Sequence, residues 1–197
     1  MSCRKLFLIA SLFAAASAIA AKPAKPPVAP AVAKVCEECH GANGVSTAPG
    51  VPHLNGQLTD NVVESMEQFQ KGKRPSSTPA HANPALTAEE IQALAKYYGY
   101  YNGQRAQRPA QPADATKVAE AEPVYKRRCA KCHVDSGREG DHEAPLVAGQ
   151  TLDYLQAQTM AFVEGKRKFP YLMDEAYQGL NKDDLERLSH YFASQKQ

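Results

Sequence analysis

Cys129-Ala130-Lys131-Cys132-His133 is the stretch that decides the fold, and Cys36-Glu37-Glu38-Cys39-His40 repeats it upstream. A Cys-x-x-Cys-His run is the attachment site of a c-type haem. Two thiols reach the vinyl groups along one porphyrin edge, and the residue after them brings an imidazole under the iron. A single run would also suit a redox dithiol or half a zinc site. Two runs, each ending in histidine and preceded by an export leader, predict two covalently bound haem c groups.

The leader is read over residues 1–20. Arg4 and Lys5 form a basic start, Leu6 to Ala16 is almost wholly apolar, and Ala18-Ile19-Ala20 offers an A-x-A cleavage site. The apolar run is short for a membrane span, and Lys22 and Lys25 follow it. The expectation is therefore periplasmic export, with cleavage near Ala20 and no transmembrane span left. Cys3 lies too far from the cleavage point to suggest a lipid anchor, and the other four cysteines all fall in the two motifs. Removing Arg4 and Lys5 from the 23 basic residues leaves 21 against 21 acidic. That balance excludes a basic nucleic-acid surface.

Outward from the motifs the chain repeats itself. At an offset of 93, Gly44 meets Gly137, Pro52 meets Pro145, and Gly56-Gln57 meets Gly149-Gln150. Phe69 meets Phe162 and Gly72-Lys73-Arg74 meets Gly165-Lys166-Arg167. One residue later in register, Leu86 meets Leu180, Leu94 meets Leu188 and Tyr97-Tyr98 meets Tyr191-Phe192. This is a duplicated domain. The reading divides the chain into a tether over 21–28, a first domain over 29–101, a Gln/Arg/Pro/Ala linker over 102–115 and a second domain over 116–197.

Each copy reads as helical. Val62, Met66 and Phe69 share one side of a helix over 60–71, and Leu155 and Phe162 do the same over 152–164. Thr87 and Glu90 form a capping box ahead of Ile91, Leu94 and Tyr98, and Asn181 caps the counterpart. No alternating run is long enough for a sheet. Copies of this size sit where a hydrophobic core alone is marginal. A covalent haem supplies the missing apolar plate for a few short helices.

His40 and His133 are the proximal iron ligands by motif position, and Pro52 and Pro145, each twelve residues later, offer carbonyls to orient them. Loop shaping is the alternative role for these prolines. For the sixth position of the second haem, Met173 lies forty residues after His133, ahead of the last helix. Met160 is its competitor but sits inside a helix, where methionine more often fills a core. The first copy has Pro79 or Ala80 opposite Met173. Its candidates are His81, giving bis-histidine ligation; Met66 reaching in; or an open or water-bound iron with His81 in solvent. His53, His142 and His190 read as surface residues and not as ligands.

These motifs resemble the tandem class I cytochromes of the cytochrome c4 family, and the second half also resembles the two-haem subunit of flavocytochrome c sulfide dehydrogenase. The resemblance implies an all-α fold of two tandem class I cytochrome c domains, each wrapped round a covalent haem. It implies a periplasmic electron carrier, not an enzyme in itself, passing single electrons between redox proteins such as a flavoprotein subunit or a terminal oxidase or reductase. The alternatives are the cytochrome subunit of a sulfide-oxidising flavin enzyme and a haem enzyme working at an open first haem. A structural metal or dithiol protein is a third class. The family carries His and Met on each haem; the first half here departs from that pattern.

Overall fold

The computed structural model describes residues 28–76, 78, 81, 86–99, 108–141, 144–170 and 172–197. The expected leader, nearly all of the tether, the first part of the linker, Pro79, Ala80 and His142 lie outside the described residues. Among the described residues there are eight α-helices, one 3-10 turn and no strand. No helix among them is long and apolar enough to cross a membrane.

The first half contains α1 (Ala33–His40), a 3-10 turn (Ala42–Gly44), α2 (Thr59–Gln70) and α3 (Ala88–Gly99). The second contains α4 (Ala115–Arg128), α5 (Val134–Gly137), α6 (Leu152–Val163), α7 (Met173–Tyr177) and α8 (Lys182–Ser194). The caps that the sequence announces are made. Thr87 N–H donates to the Glu90 carboxylate at 2.9 Å and Glu90 N–H returns to Thr87 Oγ1 at 3.2 Å. Asn181 and Asp184 form the same box on α8.

The repeat is written in hydrogen bonds as well as in letters. The carbonyl of Gly44 accepts from Leu54 and Asn55, and that of Gly137 from Val147 and Ala148. Gly56 N–H reaches the Tyr98 carbonyl at 2.9 Å, and Gly149 N–H reaches the Phe192 carbonyl at 2.9 Å. The glycine is obligatory at the first of these turns. Gly44 has φ +76°, and a Cβ there would lie 2.8 Å from the Tyr98 ring. Arg74 lies over Phe69 at 4.6 Å and Arg167 over Phe162 at 4.5 Å.

The cores are unequal. Ala33, Leu94, Tyr97 and Tyr98 form the buried cluster of the first half. In the second, α4 lays Ala121, Val124 and Tyr125 against Leu185, Leu188, Tyr191 and Phe192. Sequence patterning gives no sign of α4, because Pro123 interrupts it and a Pro-rich stretch precedes it. Asp114 starts it, accepting from the N–H groups of Thr116 and Lys117. The first half, which also buries Val62, Ile91 and Ala95, has the smaller core among the described residues, and a bound apolar plate would enlarge it.

Candidate haem sites

In the first half the motif occupies the last turns of α1. That places Cys36 half-buried, Cys39 exposed and His40 buried at the helix end. His40 Nδ1 hydrogen-bonds the Pro52 carbonyl at 2.8 Å. Burial lowers the pKa of His40, and the Pro52 carbonyl works against that. With Nδ1 held as the donor, Nε2 is the nitrogen left for a metal. Gly41 ends the helix at φ +73°, where a Cβ would stand 2.2 Å from the Val45 carbonyl oxygen.

His81 comes to the same place. Its ring centroid is 5.9 Å from that of His40, with the planes 39° apart. An imidazole–metal–imidazole bridge with bonds of about 2 Å spans roughly 6 Å between centroids. His81 stacks on Phe69 at 4.6 Å, and its Nδ1 is 2.7 Å from the Ser76 hydroxyl. Burial lowers its pKa first, then the neighbouring His40 and Arg74. Met66 is half-buried on α2.

In the second half, α4 ends at Cys129 and the motif turns off it, with His133 N–H bonded to the Cys129 carbonyl at 2.9 Å. Cys129 is half-buried and Cys132 exposed. Burial pushes the Cys129 thiol up to about 11, the neighbouring Cys132 adds to this, and Arg128 opposes it. The Tyr125 hydroxyl donates to the His133 carbonyl at 2.8 Å, and Phe192 meets the His133 ring edge-on at 5.7 Å. Nδ1 of His133 is buried with no hydrogen-bond partner among the described residues. The Pro145 carbonyl offsets part of the burial that lowers the His133 pKa, followed by Asp141. His133 lacks the closed bond that joins His40 to Pro52. Met173 is the first residue of α7 and half-buried; Asp174 and Glu175 occupy the first turn of that helix. Met160 is half-buried within α6.

The four motif sulfurs are free thiols, two to a site, each pair followed by a histidine, and in His40 Nε2 is left uncommitted. That donor set fits a covalently held haem in either half. Charge for its carboxylates is also at hand. Arg74 and Arg167 are largely shielded from solvent, Arg74 Nε has no partner, and burial pushes Arg167 down to about 10.

Two histidines read as surface residues are not. His53 is 2% exposed and His190 8% exposed. His53 lies where the halves meet. Its Nδ1 accepts from Ser46 N–H at 2.9 Å, and Nε2 is 3.4 Å from the Gln111 amide nitrogen. His190 is turned inward on α8 and accepts from Asp114 N–H at 3.1 Å.

The seam between the halves is polar and reciprocal. Gln57 and Gln150, equivalent in the repeat, each clamp a backbone amide of the opposite half. Gln57 Nε2 donates to the Leu146 carbonyl at 3.0 Å, and its Oε1 accepts from Leu146 N–H at 2.9 Å. Gln150 does the same with His53, at 3.0 Å and 2.7 Å. Arg108, midway along the expected linker, is fully buried in the seam. It donates from Nε and Nη2 to the Asn55 carbonyl at 2.9 and 2.7 Å, and from Nη1 towards the Leu146 carbonyl at 3.5 Å. Burial pushes its guanidinium down to about 10. In the sequence the two glutamines are visible only as matched letters of the repeat, and Arg108 as one polar residue of a linker.

Comparison with known proteins adds the following. A family model described as cytochrome C oxidase, cbb3-type, subunit III matches residues 26–97. The chain is 33% identical over 73 residues to cytochrome c-554(548) of Halomonas halodenitrificans, covering 34% of this chain and 84% of that one. It is 29% identical over 163 residues to cytochrome c4 of Pseudomonas aeruginosa, covering 76% and 78%. It is 28% identical over 128 residues to the thiosulfate dehydrogenase electron acceptor of Thiomonas intermedia, matching 61% of this chain and only 58% of that relative's length. Among solved structures, cytochrome c4 of Pseudomonas stutzeri superposes with a TM-score of 0.69 at 24% identity, covering 83% and 94% of the two chains. Thiosulfate dehydrogenase of Marichromatium purpuratum gives 0.70 at 27%, covering 81% of this chain and 36% of that one.

Proposed function

Because the chain belongs to the cytochrome c family, in its tandem c4-like form, and so carries electrons on covalently bound haem, we propose that each half holds one haem c and that the two are ligated unequally. Cys36 and Cys39 hold one by thioethers, and Cys129 and Cys132 the other. His40 and His133 are the proximal ligands, oriented by Pro52 and Pro145. His81 completes the first site and Met173 the second. The haem supplies one-electron iron cycling; the chain sets its potential and access. Ser76 holds Nδ1 of His81, leaving Nε2 for the metal, and Phe69 fixes the ring plane. The observation that carries the unequal ligation is the 5.9 Å approach of the His81 and His40 rings.

Thioether with imidazole raises the potential of a haem relative to two imidazoles. Electrons therefore enter through the first half and leave through the second. The proposed compartment is the periplasm, on the strength of the basic and apolar leader in the sequence. The proposed donor is a redox enzyme; a thiosulfate-oxidising enzyme is the precedent that the Thiomonas relative's name offers, and a flavoprotein is the other class. The test uses holoprotein made in a host with haem maturation. Its mass should carry two haems, and the ferric spectra should show one bis-histidine and one histidine–methionine signal. His81→Ala should alter the first signal alone. Two identical signals, or a His81→Ala spectrum unchanged from wild type, would refute the assignment.

A further inference from the structure

One peptide group stands behind each proximal histidine, and each is gripped from the opposite half. The Pro52 carbonyl accepts from His40 Nδ1 at 2.8 Å. The N–H of that same peptide group, on His53, donates to Oε1 of Gln150 at 2.7 Å. In the second half the equivalent peptide group joins Pro145 to Leu146, and His133 Nδ1 closes no hydrogen bond to it. The N–H of that peptide group, on Leu146, donates to Oε1 of Gln57 at 2.9 Å. Each glutamine is held in place by its own amide, which donates to the carbonyl of the same residue it accepts from, at 3.0 Å in both cases. Gln150 is 3% exposed, so water does not compete for its bond.

We infer that Gln150 is a positioning residue that tunes the iron of the half to which it does not belong. A peptide whose N–H is donating is polarised and becomes a stronger acceptor at its carbonyl. A stronger acceptor on Nδ1 fixes the imidazole tautomer and makes Nε2 a stronger electron donor. That favours ferric iron and lowers the potential. Gln150 therefore acts on the first haem through His53, Pro52 and His40. The crossing is what distinguishes this role from mere packing, since a packing defect would be felt first in the half that carries it. The inference rests on His40 and His133 being the proximal ligands.

The experiment is a haem-resolved redox titration of the holoprotein, joined to NMR of the hyperfine-shifted Nδ1–H protons of the proximal histidines. Gln150→Leu should raise the potential of the first haem and move the His40 proton, leaving the second haem unchanged. Gln150→Glu, which keeps the acceptor and adds charge to it, should shift the same haem downward and serves where the leucine variant does not fold. A shift confined to the haem of the mutated half, an equal shift at both haems, or no shift in a folded variant would overturn the inference alone. Absence of hyperfine-shifted proximal protons in the wild-type protein would overturn the ligand assignment and the inference with it.

Discussion

Acid should loosen this protein at one residue. His53 is buried in the seam and accepts a hydrogen bond from Ser46 N–H through Nδ1. Protonating that nitrogen would set a donor against a donor. Burial first, then Arg108 and His40, hold its pKa down at about 4 against an ordinary 6.5. A displacement of that size corresponds to a ceiling of about 3.4 kcal/mol. Relaxation of the seam around a charged ring reduces the expected figure to about 2 kcal/mol. The sign follows from proton binding: below 6.5 the unfolded chain takes up a proton that the folded chain refuses until about 4. This contribution is complete above 6.5, falls away as the pH drops towards 4 and is flat below it. The assay is urea unfolding of the holoprotein across that interval for wild type and for His53→Asn. Asparagine keeps an acceptor at the δ position and does not titrate. The wild type should lose about 2 kcal/mol more than the variant between the two ends. Equal losses in the two proteins would show that His53 does not carry this linkage.

Two further outcomes are expected from the glycines and the seam. Gly44→Ala should cost about 2–4 kcal/mol, combining left-handed backbone strain with overlap onto the Tyr98 ring, whereas Gly50→Ala, at φ +71° with nothing within 4 Å of its Cβ, should cost only about 1 kcal/mol. Denaturant midpoints decide between them, and equal costs would mean that the Tyr98 contact is irrelevant. Arg108→Met should stay within about 2 kcal/mol of wild type, because roughly 3 kcal/mol of relief from burying the cation offsets about 1–3 kcal/mol for each carbonyl left bare. Arg108→Ala adds a cavity and should be the less stable of the two; a methionine variant as unstable as the alanine one would contradict that balance.

Local chemistry made much of this molecule legible from its letters. The haem-attachment motifs, the repeat, α2, α3, α6 and α8 all rest on contacts within a few residues, and the Thr87 and Asn181 caps close as their spacing requires. α4 escaped because Pro123 breaks its pattern and its apolar side is only Ala121, Val124 and Tyr125, which acquire meaning against α8. His53, Gln57, Arg108 and Gln150 escaped for a different reason. Their partners lie tens of residues away in sequence, and no period along the chain announces a partner at such a distance. A histidine beside a proline loop looks solvated until the other half covers it. The match of Gly56-Gln57 to Gly149-Gln150 was the available signal, since a glutamine kept in both copies, with no helical face to fill, has some other work.

The glutamine clamp has a consequence for descent. Position 57 meets 146, while 150, the copy of 57, meets 53, of which 146 is the copy. Contacts of that form are isologous, the kind two identical chains make about a two-fold axis. The seam is thus a homodimer interface carried inside a single polypeptide. A homodimer must accept every substitution twice, once in each subunit. A fused chain accepts it once, and Arg108, which has no repeat mate, already occupies the seam as a single copy. Fusion is the step that lets one subunit keep a histidine at position 81 while its twin keeps a methionine at 173, with the surface that joins them unchanged.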